Sequence, residues 1–302
     1  MKSSHSEFVN MSWMDKVFQS IVYGGLLFAG ILVLYPLIFV ISASISDPVS
    51  VNSGKVLLWP VGIQLDGYKL IFKSPWILVG YRNSLYYTVF GTFLNVTITF
   101  MAAYSLSRKD FFGRKSITIF MVFTMWFSGG LIPTFLVVRS LNLIDTPFVL
   151  IIMNAIIMFN TIICRTFIQN SIPKELQEAA HVDGCSDFGI LFKIVMPLSA
   201  PILAVLALYY ALGHWNNYFN ALIYLSKREY QPLQIFIREV LVQNQQIDLD
   251  DMLDFETAFQ RAQISQVMKY SLIVVASLPM LIIYPFVQKY FVKGVMIGAI
   301  KG

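Results

Sequence analysis

Residues 21–45 read IVYGGLLFAGILVLYPLIFVISASI. The run holds no Asp, Glu, Lys or Arg, and Ser42 and Ser44 lie near its end. A helix needs about 20 apolar residues to cross the hydrocarbon of a bilayer, so this stretch predicts a membrane span. It is too long for the apolar region of a secretion signal, although Ser42-Ala43-Ser44 faintly imitates a cleavage site. Five similar runs follow, at 86–106, 117–138, 148–168, 198–225 and 272–287, the fifth of the six carrying a polar interruption. Trp76, Tyr81 and Tyr290 stand near run ends, where an interfacial aromatic belt would place them. The expected fold class is all-α: a polytopic membrane helical bundle of six transmembrane helices.

Composition agrees. Of 302 residues, 57% are hydrophobic and 13% charged, with a mean hydropathy of +0.66. Soluble domains carry about 25% charged residues, so this chain lacks the charge to cover a water-facing surface. The formal net charge of +5 belongs to loops, where basicity sets topology and meets lipid headgroups; no basic run interleaved with aromatics suggests nucleic acid. Cys164 and Cys185 have no metal-ligand spacing and imply no disulfide framework.

The densest basic cluster, Arg108, Lys109, Arg114 and Lys115, lies in a short loop and should face the cytoplasm. With six spans both termini are then cytoplasmic, in agreement with Lys289, Lys293 and Lys301, and the loop 226–269 with Asp248, Asp250, Asp251, Asp254 and Glu256 is outside. The organisation read from this is an N-terminal cytoplasmic or interfacial segment 1–20, a first span 21–45, a core 80–288 of five spans, and a cytoplasmic tail 289–302. Before the first span, Phe8, Met11, Trp13, Met14, Val17 and Phe18 make a rough apolar face, readable as an interfacial helix or as a continuation of span one.

The loop 171–197 is the most informative. Ser171 and Pro173 are helix-start signals, Glu175 suits the first turn, and Gly184 supplies a left-handed stop after Asp183. Ser186 or Asp187 caps a second short helix, expected to end before Pro197. Glu178-Ala179-Ala180 then presents small side chains that let a partner's backbone approach.

These residues resemble the EAA loop of bacterial ABC importer permeases. The family pattern is Glu-Ala-Ala, three free positions, Gly, nine free, Ile, one free, Leu-Pro. Here it reads Glu178-Ala179-Ala180, Gly184, Ile194 and Met196-Pro197, with Met196 in place of Leu, a volume-conserving change. The resemblance implies a type I ABC importer permease whose cytoplasmic coupling helices dock into a groove on an ATPase subunit. It assigns that coupling to Glu178, Ala179, Ala180 and Gly184. The tail from Tyr290 to Gly302 is similar to that of the second permease of maltose-transporter-like carbohydrate importers, where it touches the ATPase, and so adds Gly302. The stretch from Gly213 to Leu225 is similar to the subgroup importing complex or acidic oligosaccharides, derived from alginate or rhamnogalacturonan. By this resemblance the partners are a homologous permease, two ATPase subunits that bind ATP and Mg, an extracytoplasmic solute-binding protein met by the outer loop, and the oligosaccharide, in the bacterial cytoplasmic membrane.

The residues of run five carry a solute path by their own chemistry. His214, Trp215, Asn216, Asn217, Tyr218 and Asn220 are polar or amphipathic at membrane depth, where such groups usually face a bundle interior or water. Aromatic faces suit sugar rings, and Asn and His suit hydroxyls. The bland alternative is interhelical hydrogen bonding with Trp and Tyr at the interface. Asn154 and Asn160 are further candidates in run four, whereas Trp126 reads as packing. Arg82, Arg139 and Lys269 flank outer span ends and could meet a uronate, though such residues commonly snorkel to headgroups.

There is no GxxxxGK[ST], HExxH or GxSxG, so the chain is expected to be no enzyme and to hold no cofactor. The main alternative is an ion-coupled secondary transporter, disfavoured because the acidic residues sit in loops rather than in spans.

Overall fold

The computed structural model of the protein describes residues 12–243, 268–285 and 288, and no strand occurs among them. The chain divides into two compact units: residues 1–73 with 240–275, and residues 74–239 with 276–302.

In the first unit, α1 (Trp13–Ser44) is one helix of 32 residues. At 1.5 Å per residue it is about 48 Å long, more than a hydrocarbon core requires. From Trp13 onward the amphipathic segment is helical in continuity with the run 21–45, which fits the reading of it as a continuation of span one. Residues 8–11 lie outside the described residues. α1 is exposed along almost its whole length and is buried only at Ser42, Ala43 and Ser44. There the chain folds back on its end. The Ser42 hydroxyl donates to the Leu58 carbonyl at 2.6 Å, and the Val61 N–H donates to the Ser46 hydroxyl at 3.1 Å. Asp47 caps α2 (Pro48–Asn52), accepting from the Ser50 N–H, with Pro48 opening the helix. α3 (Asp66–Lys73) follows. Ser271 donates to the Ser44 carbonyl at 3.0 Å, and Tyr270 meets Phe39 edge-on at 5.7 Å.

The second unit is built on α4 (Pro75–Ser107). Its buried positions include Gly80, Ser84, Tyr87, Thr88, Gly91, Asn95, Thr99 and Ala103. These recur at three- and four-residue spacing, so they form one face. Most are small or polar, as expected where helices associate in lipid by close approach and hydrogen bonds rather than by escape from water. After α4 come α5 (Arg114–Trp126), α6 (Leu131–Ser140), α7 (Phe148–Ile152), α8 (Met158–Ser171) and α9 (Lys174–Val182). Next are α10 (Asp187–Leu198), α11 (Ala200–Trp215), α12 (Phe219–Tyr224) and α13 (Leu233–Gln243), and then α14 (Met268–Pro285).

Three runs expected as single rods are broken. Run three becomes α5 and α6, bent by 117° where Gly129 and Gly130 intervene; Gly130 has φ +85. Run four becomes α7 and α8, parted at Asn154, which takes φ +59. Run five is interrupted at Asn216–Tyr218, between α11 and α12. Asparagine tolerates left-handed geometry and competes with the helix for backbone hydrogen bonds, while glycine gives no steric reason to stay helical. Among the described residues α1, α4 and α14 are long and apolar enough to cross a membrane singly, and the bent pairs α5–α6 and α10–α11 bring the number to five. Six spans, the fifth with a polar interruption, were expected; the described residues give three to five by length and composition.

Candidate coupling loop and transport cavity

The loop between α8 and α11 forms the elbow read from the sequence, with two differences. Pro173 precedes α9, Asp183 ends it, and Gly184 takes φ +80. The N–H groups of Asp183, Gly184 and Cys185 donate back to the carbonyls of Ala179, His181 and Ala180 at 3.0, 3.0 and 2.9 Å, satisfying the helix end. Ser186 caps the next helix by accepting from the Gly189 N–H at 3.2 Å. That helix does not stop before Pro197. A π-helical turn, Leu191–Val195, carries it through to Leu198, with the Met196 N–H reaching the Leu191 carbonyl. The wider turn shifts the hydrogen-bond register just before the proline, which has no N–H to give.

Ala180 is the second difference. It is buried in a core with Phe100, Ala103, Cys164, Ile168, Ile190 and Val195, so it anchors α9 and offers no surface to a partner. Successive helix residues point about 100° apart, which leaves Ala179 outside. Glu178, Ala179, Val182, Gly184 and Phe188 are all exposed, Val182 at 88%.

The elbow is clamped to α4. Arg108, which ends α4, donates to Asp187 at 2.7 Å, to Asp110 at 2.6 Å and to the Tyr104 hydroxyl at 3.1 Å. Gln169 donates to the Ser107 carbonyl at 3.2 Å. The Arg108 guanidinium holds the Asp110 carboxyl below the usual carboxylate range, so this pair persists until the pH falls beneath that range. Lys109 lies against Lys174, whose ammonium pulls the Lys109 pKa down. A hollow of about 480 Å³ opens between these residues and α9, lined in part by Glu178, His181 and Ile190. Asp187 is 66% exposed, so the ion pair adds little stability, of the order of 0–1 kcal/mol. Its value is orientation. Asp187→Asn is expected to leave the amount of protein in the membrane unchanged and to shift stability by no more than about 1 kcal/mol, as thermal unfolding in detergent would read.

A second cavity, about 310 Å³, lies where runs four and five break. Asn95, Asn154, Tyr209, Tyr210, His214, Asn216, Asn217, Tyr218, Phe219 and Asn220 line it. The freed backbone at the break in run four is partly satisfied by Tyr210, whose hydroxyl accepts from the Ile157 N–H at 3.2 Å and pairs with Thr99 at 2.6 Å. His214 is buried, with its Nε2 3.2 Å from the Asn95 amide nitrogen. Asn95 also donates to the Asn154 carbonyl at 3.4 Å, and its own carbonyl oxygen has no partner among the described residues. The His214 ring lies over Gly91, where any added Cβ would overlap it.

Of the residues read as a solute path, His214, Asn216, Asn217, Tyr218, Asn220 and Asn154 thus share one cavity. Trp215 does not join them. It is 2% exposed, its indole N–H donates to the Ala276 carbonyl at 3.0 Å, and Tyr81 meets it edge-on at 5.7 Å. The turn that brings His214 to the cavity aims Trp215 the other way. Asn160 is buried within α8. Arg82 and Arg139 are exposed and do not line the cavity; Arg82 donates to the Asn83 carbonyl oxygen at 3.4 Å. Trp126, read as packing, is 82% exposed. Asn95, Tyr209 and Tyr210 went unread in the sequence; a lone Asn inside the apolar run 86–106 was the available signal. Gly302 and the acidic segment 248–256 lie outside the described residues.

A family model for the binding-protein-dependent transport system inner membrane component matches residues 77–297. The chain belongs to this family. It is the membrane permease subunit of an ATP-driven carbohydrate importer, is not itself an enzyme, and leaves ATP hydrolysis to a separate subunit. The polygalacturonan/rhamnogalacturonan transport system permease protein YtcP of Bacillus subtilis is 41% identical, over 95% of this chain and 99% of its own. Protein LplC of the same organism is 38% identical over 90% and 91%. The permease also matches a chain of a bacterial ABC transporter involved in the import of the acidic polysaccharide alginate. That match has a TM-score of 0.84 and 34% identity, covering 93% of this chain and 99% of that one. Nothing in these likenesses supports an ion-coupled carrier.

Proposed function

We propose that this permease imports an acidic oligosaccharide, of the pectin- or alginate-derived kind, handed over by an extracytoplasmic binding protein. It works paired with a homologous permease on two ATPase subunits that hold ATP and Mg. Both termini and the elbow at 171–197 face the cytoplasm. Support for the substrate class comes from relatives at 41% and 34% identity whose names specify acidic polymers.

The observation that carries the transport path is the polar cavity at two broken spans. Its lining is rich in amides and hydroxyls and contains no Lys or Arg. Neutral donors can hold sugar hydroxyls and carboxylates without the tight ion pairing that would delay release. Arg82 and Arg139 are suited to attracting a uronate on its way in rather than to holding it. At the other end, Glu178, Ala179, Val182, Gly184 and Phe188 form the surface on which the ATPase pulls, and Gly302 extends that contact. ATP binding closes the ATPase pair, the elbow moves with it, and the Arg108–Asp187 clamp carries the motion to α4, which lines the cavity through Asn95. Alternating access follows from two arrangements of these spans.

The test is a reconstituted complex offered binding protein with oligogalacturonides, alginate oligomers or neutral oligosaccharides of equal length. Uronate-bearing sugars are expected to stimulate ATPase activity and to be imported. Stimulation by the neutral set alone would refute the substrate class.

A further inference from the structure

We propose that Arg114, Lys115 and Arg165, where α5 meets the end of α8, bind the phosphodiester of an anionic phospholipid, which bridges the two helices. On the orientation proposed above, the cytoplasmic leaflet supplies it.

Placement is the first argument. Arg165 stands inside the apolar run 148–168. A charge at such a position is costly and is kept beside an opposite charge or drawn to the interface. Four residues on, Gln169 donates to the Ser107 carbonyl, so this part of α8 is level with the end of α4 and the basic loop that follows it. Arg165 lies about 6 Å below that level at 1.5 Å per residue, and an arginine stem is long enough to lift its head there. α5 begins in the same loop, at Arg114, and packs against α8. Phe111 and Phe112 come just before it, both exposed, a pairing of rings and cations suited to a headgroup boundary.

Charge is the second argument. The Arg165 Nε is enclosed by the protein and has no hydrogen-bond partner among the described residues. The charged group that acts on Arg165 is a like one, the Arg114 guanidinium. Arg114 donates to the Arg108 carbonyl at 3.1 Å, a bond that leaves its charge uncompensated. Asp110 and Asp187 are engaged by Arg108, and among the described residues no ion pair reaches Arg114, Lys115 or Arg165. The rest of the chain has little to offer. Residues 286–302 contain no Asp or Glu, residues 1–11 contain only Glu7, and the acids at 248–256 belong to the loop read as lying on the other side.

Chemistry selects the occupant. A phosphodiester presents two charged oxygens, which a guanidinium fork meets with two N–H groups. Lipid phosphates fill the layer in which these side chains stand, and basic pockets between membrane helices hold acidic headgroups there. A carboxylate of the ATPase would have to leave the elbow and enter that layer to reach Arg165. A zwitterionic headgroup brings its own cation, which three basic side chains repel, so phosphatidylglycerol is favoured over phosphatidylcholine. The bound phosphate offsets the repulsion between Arg114 and Arg165 and so holds α5 against the helix that leads into the elbow.

The test uses the whole complex in phosphatidylcholine nanodiscs containing a photoreactive phosphatidylglycerol, its diazirine on the acyl carbon nearest the glycerol. Cross-links are expected within residues 111–119 and 161–169, and unlabelled phosphatidylglycerol should suppress them. Arg165→Gln should lower this labelling about five-fold, with Arg165→Lys retaining more of it. Lys115→Gln, at an exposed position, should also lower it and carries the test if Arg165→Gln depletes the complex. Equal labelling by a photoreactive phosphatidylcholine of the same build would overturn the proposal, as would labelling unchanged in both glutamine variants. Absence of cross-links at both segments would assign the cations to a neighbouring subunit and overturn it. Suppression by inorganic phosphate would assign them to a soluble anion, with the same result. None of these readings involves the imported sugar, so a failure of the substrate class is told apart from a failure here.

Discussion

Replacing Gly184 by valine is expected to abolish sugar uptake while the permease still inserts and assembles. The effect is conformational, because a Cβ at this position meets no atom within 4 Å. What it meets is its own backbone: φ is +80, a region that a β-branched residue enters at a cost of about 1–3 kcal/mol. Relief of that strain would swing α10 relative to α9. The bonds from the Gly184 and Cys185 N–H groups to the carbonyls of His181 and Ala180 would then be lost. The elbow would no longer present Val182 and Phe188 as one surface. Uptake into proteoliposomes should fall to background, and the loaded binding protein should no longer stimulate ATPase activity. Gly184→Asn, which tolerates left-handed geometry, should keep much of both. Normal uptake by Gly184→Val would remove the coupling role from this turn.

The other large effect is on folding. Trp215→Ala is expected to cost about 3 kcal/mol and to deplete the folded permease, not merely to slow transport. Trp215 is 2% exposed, packs edge-on against Tyr81 and spends its only donor on the Ala276 carbonyl. Removing it leaves a void the size of an indole and an unpaired acceptor on α14. The figure lies at the low end for Trp→Ala because part of the usual loss comes from transfer out of water, and the reference here is lipid. Thermal unfolding in detergent should show a clear fall in midpoint. A Trp215→Ala protein of normal stability with reduced uptake would restore Trp215 to the solute path. By contrast, Asn217→Ala should spare stability and act on import alone, since Asn217 is half-buried at the edge of the cavity.

Much of this molecule was legible in its residues. Apolar runs of bilayer length, with Arg165 in run four their one charged residue, announced helices in lipid. The turn of the elbow was legible, though not the π-turn through Pro197 or the burial of Ala180: Pro173, Gly184 and Ser186 act through their own backbone chemistry, which depends on neighbours in sequence and not on distant ones. The grouping of His214, Asn217 and Asn220 was also legible as polar residues at depth, although their gathering with Asn95 and Asn154 was not. Those positions lie 59 or more residues apart and meet only because α4 packs against both breaks.

Local chemistry, then, settled which segments are apolar enough to enter a membrane, where the elbow at 171–197 turns, and which residues are too polar to face lipid. Tertiary structure alone decided that Ala180 is an anchor, that Trp215 points away from the cavity next to a neighbour that points into it, and that Arg108 ties the elbow to a span. It also decided that three apolar runs break rather than cross as rods. The physical reason is the same in each case. A residue's type says what environment it tolerates, and both sides of a helix in a bundle can be tolerable. Which side it takes is set by what other segments bring to that side, and those contacts are made between residues far apart in the chain.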